Sequence, residues 1–438
     1  MPTIARYLAA ASGALLLFSA AVDAAVLSAA PKTLTRFHDP VVISTGTLTG
    51  LPDRRTAYWR LYATENGRLV PIPFQFDARD RHGDVVVDGP PEFAFDDNDE
   101  LVFMAKDTGA QAAPDLWPEA SDVVLELEVQ DPRHGERGWA YLLHFHDPPS
   151  TAVGDPYVIL DRTATQARSA FYEVDYAVGR DFYTGMQIMP AAGGTGVNLL
   201  RRTRMSGFPT LHLFFTDVTL HFTEQNSIVA IEGVRTGAVR AIRRVRLSVD
   251  LGPLFPDLPN GTAYTYHYFS SDVTPTRFGV PWLALKTLRD FCFADVIDFD
   301  PQALPAGYWD GANRDGVAWS GPDGRHVETT ADHDWWVHSG VGGTMLHAFV
   351  VPSEWLQWGI VRGTVFRDGA ARARDCLSTE ATYAAGYSLL HMTNLREARS
   401  YELLQTEVVL TRPYQPGDEE EPMAMLRAPL RTAVHRLR

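Results

Sequence analysis

The fold is decided by a region of alternating apolar and polar residues between positions 196 and 251. It contains the runs Thr210-Leu-His-Leu-Phe-Phe215, Val218-Thr-Leu-His-Phe222 and Val239 to Leu251, with turn-forming residues such as Thr223 to Ser227 between them. A period of two with β-branched and aromatic residues is typical of antiparallel strands with one solvated face. This region therefore predicts an antiparallel β-sheet.

The rest of the chain continues this pattern, and apolar residues at helical spacing are few. The best short helix candidates are residues 281–293 and 398–404. Pro-rich connections, such as Asp147-Pro-Pro-Ser150 and Pro253 to Pro259, separate the units. We therefore expect a mainly β protein with two antiparallel β-sandwich domains and few short helices. The expected boundaries are residues 30–150, a larger sandwich over 160–412 and a solvated tail over 413–438.

Charge excludes some partners. The chain has 438 residues and a formal net charge of −15, from 54 acidic and 39 basic residues. Lysine occurs only at Lys32, Lys106 and Lys286, so nearly every positive charge is an arginine. A strongly acidic protein is a poor candidate for general binding to nucleic acids or anionic membranes.

The N-terminus has the pattern of a secretory signal. Arg6 precedes a short apolar run, Tyr7 to Val22, and Val22-Asp23-Ala24 places small or aliphatic residues where a signal peptidase reads them. We expect residues 1–24 to be a signal peptide and the mature protein to be periplasmic or extracellular. The alternative is an N-terminal anchor helix. No later stretch of 18 apolar residues predicts a membrane span.

The two cysteines fit this location. In an oxidising compartment Cys292 and Cys376 would most simply pair with each other as a disulfide. Two free buried thiols are the alternative. Neither cysteine has the spacing of a zinc or redox site.

Two stretches of the sequence resemble known β proteins. Pro71-Ile-Pro-Phe-Gln-Phe-Asp77, followed by Phe95 to Met104, resembles the opening β domain of uncharacterised secreted bacterial proteins. Glu232 to Arg246 is similar to strands of galactose-mutarotase-like super-sandwich proteins, which include sugar epimerases and polysaccharide lyases. The resemblance implies a super-sandwich-like second domain and carbohydrate handling, and it assigns no catalytic residue to this chain.

An acidic segment covers residues 77–107. It holds ten carboxylates against three basic residues, a local charge of −7. Clustered oxygen ligands suit a hard cation, so Asp97 and Asp99 are candidate ligands of a structural Ca²⁺ ion. The alternative is a polar turn in which Asp and Asn side chains bond their own backbone ahead of the strand Leu101 to Met104. No other cofactor is expected.

An arginine-rich region over residues 198–246 has the opposite character. It carries eight arginines and three acids, a local charge of +5. If residues 239–251 form one strand, Arg240, Arg244 and Arg246 share one face. Such a row of guanidinium groups could hold the carboxylates of an acidic glycan. The alternative is that these arginines pair with the protein's own acids.

The strongest candidate site is a predicted hairpin. It consists of Ala331-Asp-His-Asp-Trp-Trp-Val-His-Ser339, the glycine-rich turn over residues 340–343 and a returning strand from Thr344 to Val351. Alternation places Asp334, Trp336 and His338 on one face and Trp335 and Val337 on the other.

The first face gathers groups that carry chemistry. Asp334 and His338 could transfer protons, and a sugar ring could stack on Trp336. Trp309, in a loop of aromatic and polar residues, could form one wall of the cleft. His347 could lie nearby on the returning strand. The alternatives are a metal site made by Asp334, His338 and His347, and a plain hairpin with buried tryptophan and solvated Asp and His.

The sequence lacks the GxSxG, HExxH, CxxC and nucleotide-binding motifs, so the common enzyme classes that use them lose support. We consider two functional hypotheses. The first is a secreted or periplasmic carbohydrate-handling enzyme, a lyase or epimerase that acts on an acidic glycan. Asp334 and His338 would move protons, and the arginine row would bind the substrate carboxylate. The second is a non-catalytic envelope protein that binds a glycan or a partner. Convergence of these residues in one cleft would favour the enzyme.

Overall fold

The computed structural model describes most of the chain after residue 29. The described residues are 30–113, 115–149, 154–250, 258–279, 286–300, 306–318, 326–328, 333–357, 360–368, 384–393 and 400–438. The predicted signal peptide and Cys376 lie outside them. Cys292 is buried in a strand, and its disulfide with Cys376 stays a prediction.

The N-terminal part is a sandwich of two antiparallel sheets, ordered β1-β5-β4 and β28-β6-β7-β2-β3. Its strands are β1 (Pro40–Ser44), β2 (Trp59–Glu65), β3 (Arg68–Pro71), β4 (Phe74–Asp77), β5 (Glu100–Met104), β6 (Ser121–Gln130) and β7 (Arg137–Phe145), with β28 (Arg431–Arg436) from the C-terminus. One apolar cluster joins the two sheets, with Val41 and Phe103 from the first and Leu61, Leu127 and Leu142 from the second.

Two large antiparallel sheets make up most of the remaining chain. The seven-stranded sheet has the order β13-β12-β19-β26-β25-β22, with β14 also on β12, and the nine-stranded sheet has the order β15-β16-β17-β18-β27-β24-β23-β20-β21. A third sheet has the order β11-β10-β9-β8. Residues of all three sheets meet in one apolar cluster, which contains Met186, Phe299 and Met345.

The bounds of these strands are β8 (Val158–Leu160), β9 (Gln166–Ser169), β10 (Tyr172–Tyr176), β11 (Tyr183–Ile188), β12 (Leu200–Leu213), β13 (Thr216–Thr219), β14 (Phe222–Thr223), β15 (Ser227–Thr236), β16 (Ala241–Val249), β17 (Leu258–His267), β18 (Ser271–Gly279), β19 (Leu288–Phe299), β20 (Ala306–Asp310), β21 (Val317–Ala318), β22 (His326–Glu328), β23 (Trp335–Gly340), β24 (Gly343–Val350), β25 (Val361–Asp368), β26 (Ala384–Met392) and β27 (Ser400–Leu410). The α-helices of the described residues are α1 (Ser353–Gln357) and α2 (Glu420–Arg427). None of the helices described is long and apolar enough to cross a membrane.

The prediction of a mainly β protein with short helices is confirmed, and the alternating runs of residues 196–251 form strands β12 to β16. Both helix predictions are wrong over most of their described residues, although Lys286 and Thr287 are helical. Residues 288–293 begin β19, and residues 400–404 begin β27. The apolar residues of both segments also fit helical spacing, and antiparallel pairing of β19 with β12 and of β27 with β18 makes them strands instead.

The predicted hairpin is present as β23 and β24, which pair in antiparallel register from Trp335 opposite Ala348 to Gly340 opposite Gly343. Its two faces are both buried. Trp335 and Val337 pack in a cluster with the α2 residue Met423, whereas Trp336 packs in the cluster between the large sheets. The alternation of the two faces therefore follows the sequence pattern.

The acidic segment and the arginine row face each other. The Arg240 Nε donates to Asp77 at 2.9 Å, and its Nη2 donates to Glu100 at 2.7 Å. The Arg244 Nη2 lies 3.3 Å from Asp84. These pairs link the start of β16 to the N-terminal sandwich. The acidic segment and the arginine row therefore pair with each other within the protein, which is the alternative given above for the arginines.

The tail that the sequence predicts to be solvated is folded. Helix α2 buries Met423 and Met425 against the β23–β24 hairpin. Strand β28 then pairs with β6 from Arg431 opposite Gln130 to Arg436 opposite Leu125. The charged residues suggested a solvated segment because β28 exposes most of its side chains, while its backbone completes a sheet.

Candidate functional site

The structure buries the predicted catalytic face of the hairpin. The Asp334 carboxylate accepts a hydrogen bond from Arg362 at 2.9 Å and also contacts Arg427. The His338 ring is fully buried and stacks on Phe299 at 4.4 Å between centroids. Burial lowers the pKa of His338 to about 3, which keeps the imidazole neutral.

The two tryptophans that the sequence predicts to stack on a sugar pack against tyrosine rings of the protein instead. Trp336 is fully buried and stacks on Tyr308. Trp309 is half-buried, and its ring lies 5.4 Å from that of Tyr414. Neither indole is exposed as a flat face for a sugar.

The structure does not bring the arginine row to Asp334 and His338. In the nine-stranded sheet β16 and β23 are separated by β17, β18, β27 and β24. Five strand spacings amount to roughly 24 Å. The faces differ as well, because Arg240 faces the N-terminal sandwich and His338 faces Phe299 of the other large sheet.

The acidic residues proposed for calcium bond to their own turn. Asp99 accepts backbone hydrogen bonds from Arg79 at 2.7 Å and from Asp96 at 2.9 Å. Asp97 is largely exposed and pairs with Arg54. No group of three or more His, Cys, Asp or Glu side chains in the described part of the chain is placed to hold a metal ion. Calcium binding stays a prediction, and these contacts favour the polar-turn alternative.

A different site lies between the two large sheets. A cavity of about 220 Å³ is lined by strands β12, β19 and β26 on one side and by β15 to β18 and β27 on the other. Its walls are mostly apolar and include Phe291, Phe293 and Phe278. Three acids interrupt this apolar lining: Asp181, which pairs with Arg243, and the carboxyl groups of Asp295 and Glu407.

The strands place these groups by simple alternation. On β19 the inward side chains are Phe291, Phe293 and Asp295, so a carboxyl follows two rings on the same face. On β27 the inward side chains are Leu403, Gln405 and Glu407.

Behind the lining, three acids and a histidine form one cluster, which we call the acid cluster: Asp272, Asp295, His347 and Glu407. The His347 Nδ1 lies 2.9 Å from Glu407 Oε1, and its Nε2 lies 3.5 Å from Asp295 Oδ2. The Glu407 carboxyl is hydrogen-bonded to the Asp272 carboxyl. The Tyr183 hydroxyl, at the cavity wall, donates to Asp272 Oδ2 at 2.9 Å. Hydrogen bonds therefore join His347, Glu407, Asp272 and Tyr183, and Asp295 lies beside the His347 ring without a hydrogen bond to its Nε2.

Burial shifts the titration of every member of the acid cluster. Burial raises the pKa of Glu407 to about 7. It raises the pKa of Asp272 well above its usual range, with the neighbouring Glu407 as a further cause. Burial also raises the pKa of Asp295 and lowers that of His347. Neutral forms are favoured throughout, because the low-dielectric interior penalises charge. The two bonded carboxyls titrate as a coupled pair.

The acid cluster can hold and move protons near neutral pH. A carboxyl group that changes its protonation state near the working pH is suited to general acid–base chemistry. Perturbed carboxyls beside a cavity are a recognised mark of functional sites. The geometry therefore identifies this cavity as the candidate functional site.

Of these four residues only His347 is a candidate from the sequence, which groups it with Asp334 and His338, whereas in the structure it lies beside Glu407 and Asp295. The signal for Asp295 and Glu407 is an acid that follows apolar residues on the same strand, as in Phe291-Cys-Phe-Ala-Asp295 and Leu403-Leu-Gln-Thr-Glu407. Acids are rarely buried without a reason. The helix predictions for these segments concealed the shared face.

Comparison with known proteins gives distant structural similarities. No protein-family model matches the sequence, and no curated protein matches it. The chain is similar to the crystal structure of the Slr1438 protein from Synechocystis sp. PCC 6803, with a TM-score of 0.36 and 12% identity over 60% of this chain and 99% of that one. It is similar to an alpha-mannosidase from Enterococcus faecalis V583, with a TM-score of 0.43 and 8% identity over 92% of this chain and 45% of that one. A protein in the Glycosyl Hydrolase Family 38 from Enterococcus faecalis gives a TM-score of 0.42 and 7% identity, over 92% of this chain and 47% of that one. The chain spans less than half the length of the two enterococcal proteins.

Proposed function

We propose that the protein handles carbohydrate and that the cavity between the large sheets takes a sugar unit. The observation that carries the proposal is the lining, where Phe291 and Phe293 stand beside Asp295 and Glu407. Aromatic rings pack on the C–H faces of sugar rings, and carboxyl oxygens accept hydrogen bonds from sugar hydroxyls. The side chains of Thr265, Thr274, Thr276 and Gln405 add further polar groups to the same walls.

The finer form of the proposal is an enzyme that transfers protons, as an epimerase or lyase does. Glu407, with its pKa near 7, would exchange a proton with the bound sugar. Asp272 and His347 would hold Glu407 in position and adjust its proton affinity. Non-catalytic glycan binding in the same cavity is the alternative.

The geometry favours a neutral or positively charged sugar over the acidic glycan that the sequence suggested. The arginine row pairs with acids of this chain. Among the residues that line the cavity, three are acids and none is lysine or arginine. A carboxylate or sulfate there would therefore find no cationic side chain in the lining to pair with. Export to the periplasm or the medium stays a prediction of the first 24 residues.

The test is a panel of mono- and oligosaccharides screened for binding by calorimetry and for turnover by NMR. Glu407→Gln keeps the size of the side chain and removes the transferable proton. Glu402→Gln is the matched control, because Glu402 lies on the same strand and is half-exposed beside Arg277.

We expect Glu407→Gln to lower turnover by about 10²-fold or more and Glu402→Gln to leave it unchanged. Binding without turnover, equal in both variants, would reject the enzyme and leave the binding function. A protein that binds no sugar of the panel would refute carbohydrate handling.

A further inference from the structure

Most of the other buried acids that the structure describes pair with an arginine, whereas Glu126 accepts a hydrogen bond from Tyr141 instead. For example, hydrogen bonds of 2.9 Å join Asp77 to Arg240, Asp334 to Arg362 and Asp39 to Arg36. Such pairing is the usual requirement for a buried carboxylate, because an isolated charge loses its hydration. With 39 basic residues in the chain, nearly all of them arginine, a cationic partner is readily supplied.

The acid cluster is built differently. Across the described residues, Asp272, Asp295 and Glu407 have no ion pair with a lysine or arginine. The groups that face them are His347 from β24, Tyr183 from β11 and Gln405 from β27. None of these carries a permanent positive charge. Three buried carboxyl groups therefore share one imidazole and lack a countercharge.

A second observation points to a ligand in the cavity. Ser227 lines the wall on β15 and is only 5% exposed. Its hydroxyl has no hydrogen-bond partner within the part of the chain that the structure describes. An unbonded buried hydroxyl costs free energy unless a ligand or water bonds to it. The cavity thus has an unsatisfied hydroxyl on β15 and uncompensated acids on β19 and β27.

We propose that the missing countercharge is supplied by the ligand, as a protonated amine held against Asp295 and Glu407. This inference rests on the proposed carbohydrate function, and it makes an amino sugar with a free amine the class of ligand. The amine would form charge-assisted hydrogen bonds to both carboxylates. The Phe293 ring, two residues from Asp295 on the same face of β19, is placed to add a cation–π contribution.

Amine binding has a consequence that can be measured. A cation beside Asp295 and Glu407 stabilises their ionised forms and lowers both pKa values. In the free protein burial holds the pKa of Glu407 at about 7. Below neutral pH the amine therefore binds with release of protons from the acid cluster, whereas a neutral sugar binds without such release.

The experiment compares two pairs of probes by calorimetry at about pH 6. The sugar pair is D-glucosamine and D-glucose, with N-acetyl-D-glucosamine as the variant whose amine is blocked. The simple pair is the hexylammonium ion and 1-hexanol. Each titration is repeated in two buffers of different ionisation enthalpy to count protons released. The wild-type protein is compared with Glu407→Gln and with the control Glu402→Gln.

We expect the amine of each pair to bind at least tenfold more tightly than its neutral partner, with proton release. This preference should shrink in Glu407→Gln and persist in Glu402→Gln. Equal binding of glucose and glucosamine would overturn the amine inference and leave carbohydrate handling intact. Preference for hexylammonium with no binding of any sugar would support the cation site and overturn the carbohydrate function. No preference in either pair would overturn the inference.

Discussion

The acid cluster should make the stability of the protein fall as the pH rises toward neutrality, and Glu407→Gln should remove the part of this loss that comes from Glu407. Burial raises the pKa of Glu407 from its ordinary 4.5 to about 7. The folded protein then holds this proton more tightly than the unfolded chain does. The stabilisation is complete below the unfolded value and is lost as the pH rises through the folded value.

The magnitude follows from the shift. About 2.5 pKa units at 1.36 kcal/mol each correspond to about 3 kcal/mol of unfolding free energy. The glutamine of the variant does not titrate. The unfolding free energy of Glu407→Gln minus that of the wild type should therefore increase by about 2–3 kcal/mol between pH 5 and pH 8, in favour of the variant. The lowered pKa of His347 acts in the opposite direction below about pH 6.5, and this contribution largely cancels because both proteins retain His347.

Urea unfolding followed by tryptophan fluorescence at several pH values gives this difference directly. Glu402→Gln serves as the control, because its side chain is half-exposed and should give the same difference at every pH. A Glu407→Gln difference that stays constant from pH 5 to pH 8 would refute the buried, proton-sharing arrangement of the acid cluster.

Three further predictions concern the fold. Arg240→Met removes the guanidinium that pairs with the buried Asp77 and should lower the unfolding free energy by about 3–5 kcal/mol. The exposed Arg246→Met should change it by less than about 0.5 kcal/mol, and denaturant titration of both variants checks this. Deletion of residues 429–438 removes β28 and leaves the edge of β6 unpaired. Light scattering should therefore detect association of the shortened protein, and a monodisperse monomer would contradict this prediction. Gly109→Ala places a methyl group 2.2 Å from the backbone oxygen of Thr64 in β2. This clash should lower the unfolding free energy by about 1–3 kcal/mol, and an unchanged thermal midpoint would contradict the close packing of Gly109 on β2.

Much of the architecture followed from local pattern. Alternation with a period of two depends on how successive side chains leave a strand, and this is a property of the backbone. It gave the strands of residues 196–251 and the β23–β24 hairpin, with Trp335 and Trp336 on opposite faces. It failed for residues 288–293 and 400–404, because their apolar residues also fit helical spacing and only pairing with neighbouring strands made them β-structure.

Only the tertiary structure shows which groups the charged residues of the sequence contact. The sequence showed an acidic segment and an arginine row, and both could have bound external ligands. Asp77 and Arg240 lie 163 positions apart and pair at 2.9 Å. Only folding sets which distant charges meet, because Coulomb attraction between buried groups depends on distance in space and on exclusion of water.

The sequence by itself determined the class of structure: strands, turns, the hairpin and the absence of common catalytic motifs. The tertiary structure decided where the chemistry can occur. It buried His338 and Asp334 in the core and assembled the acid cluster from β18, β19, β24 and β27. Strand periodicity is local, whereas a cavity between two sheets and the pKa shifts of its acids arise only when distant strands exclude water together.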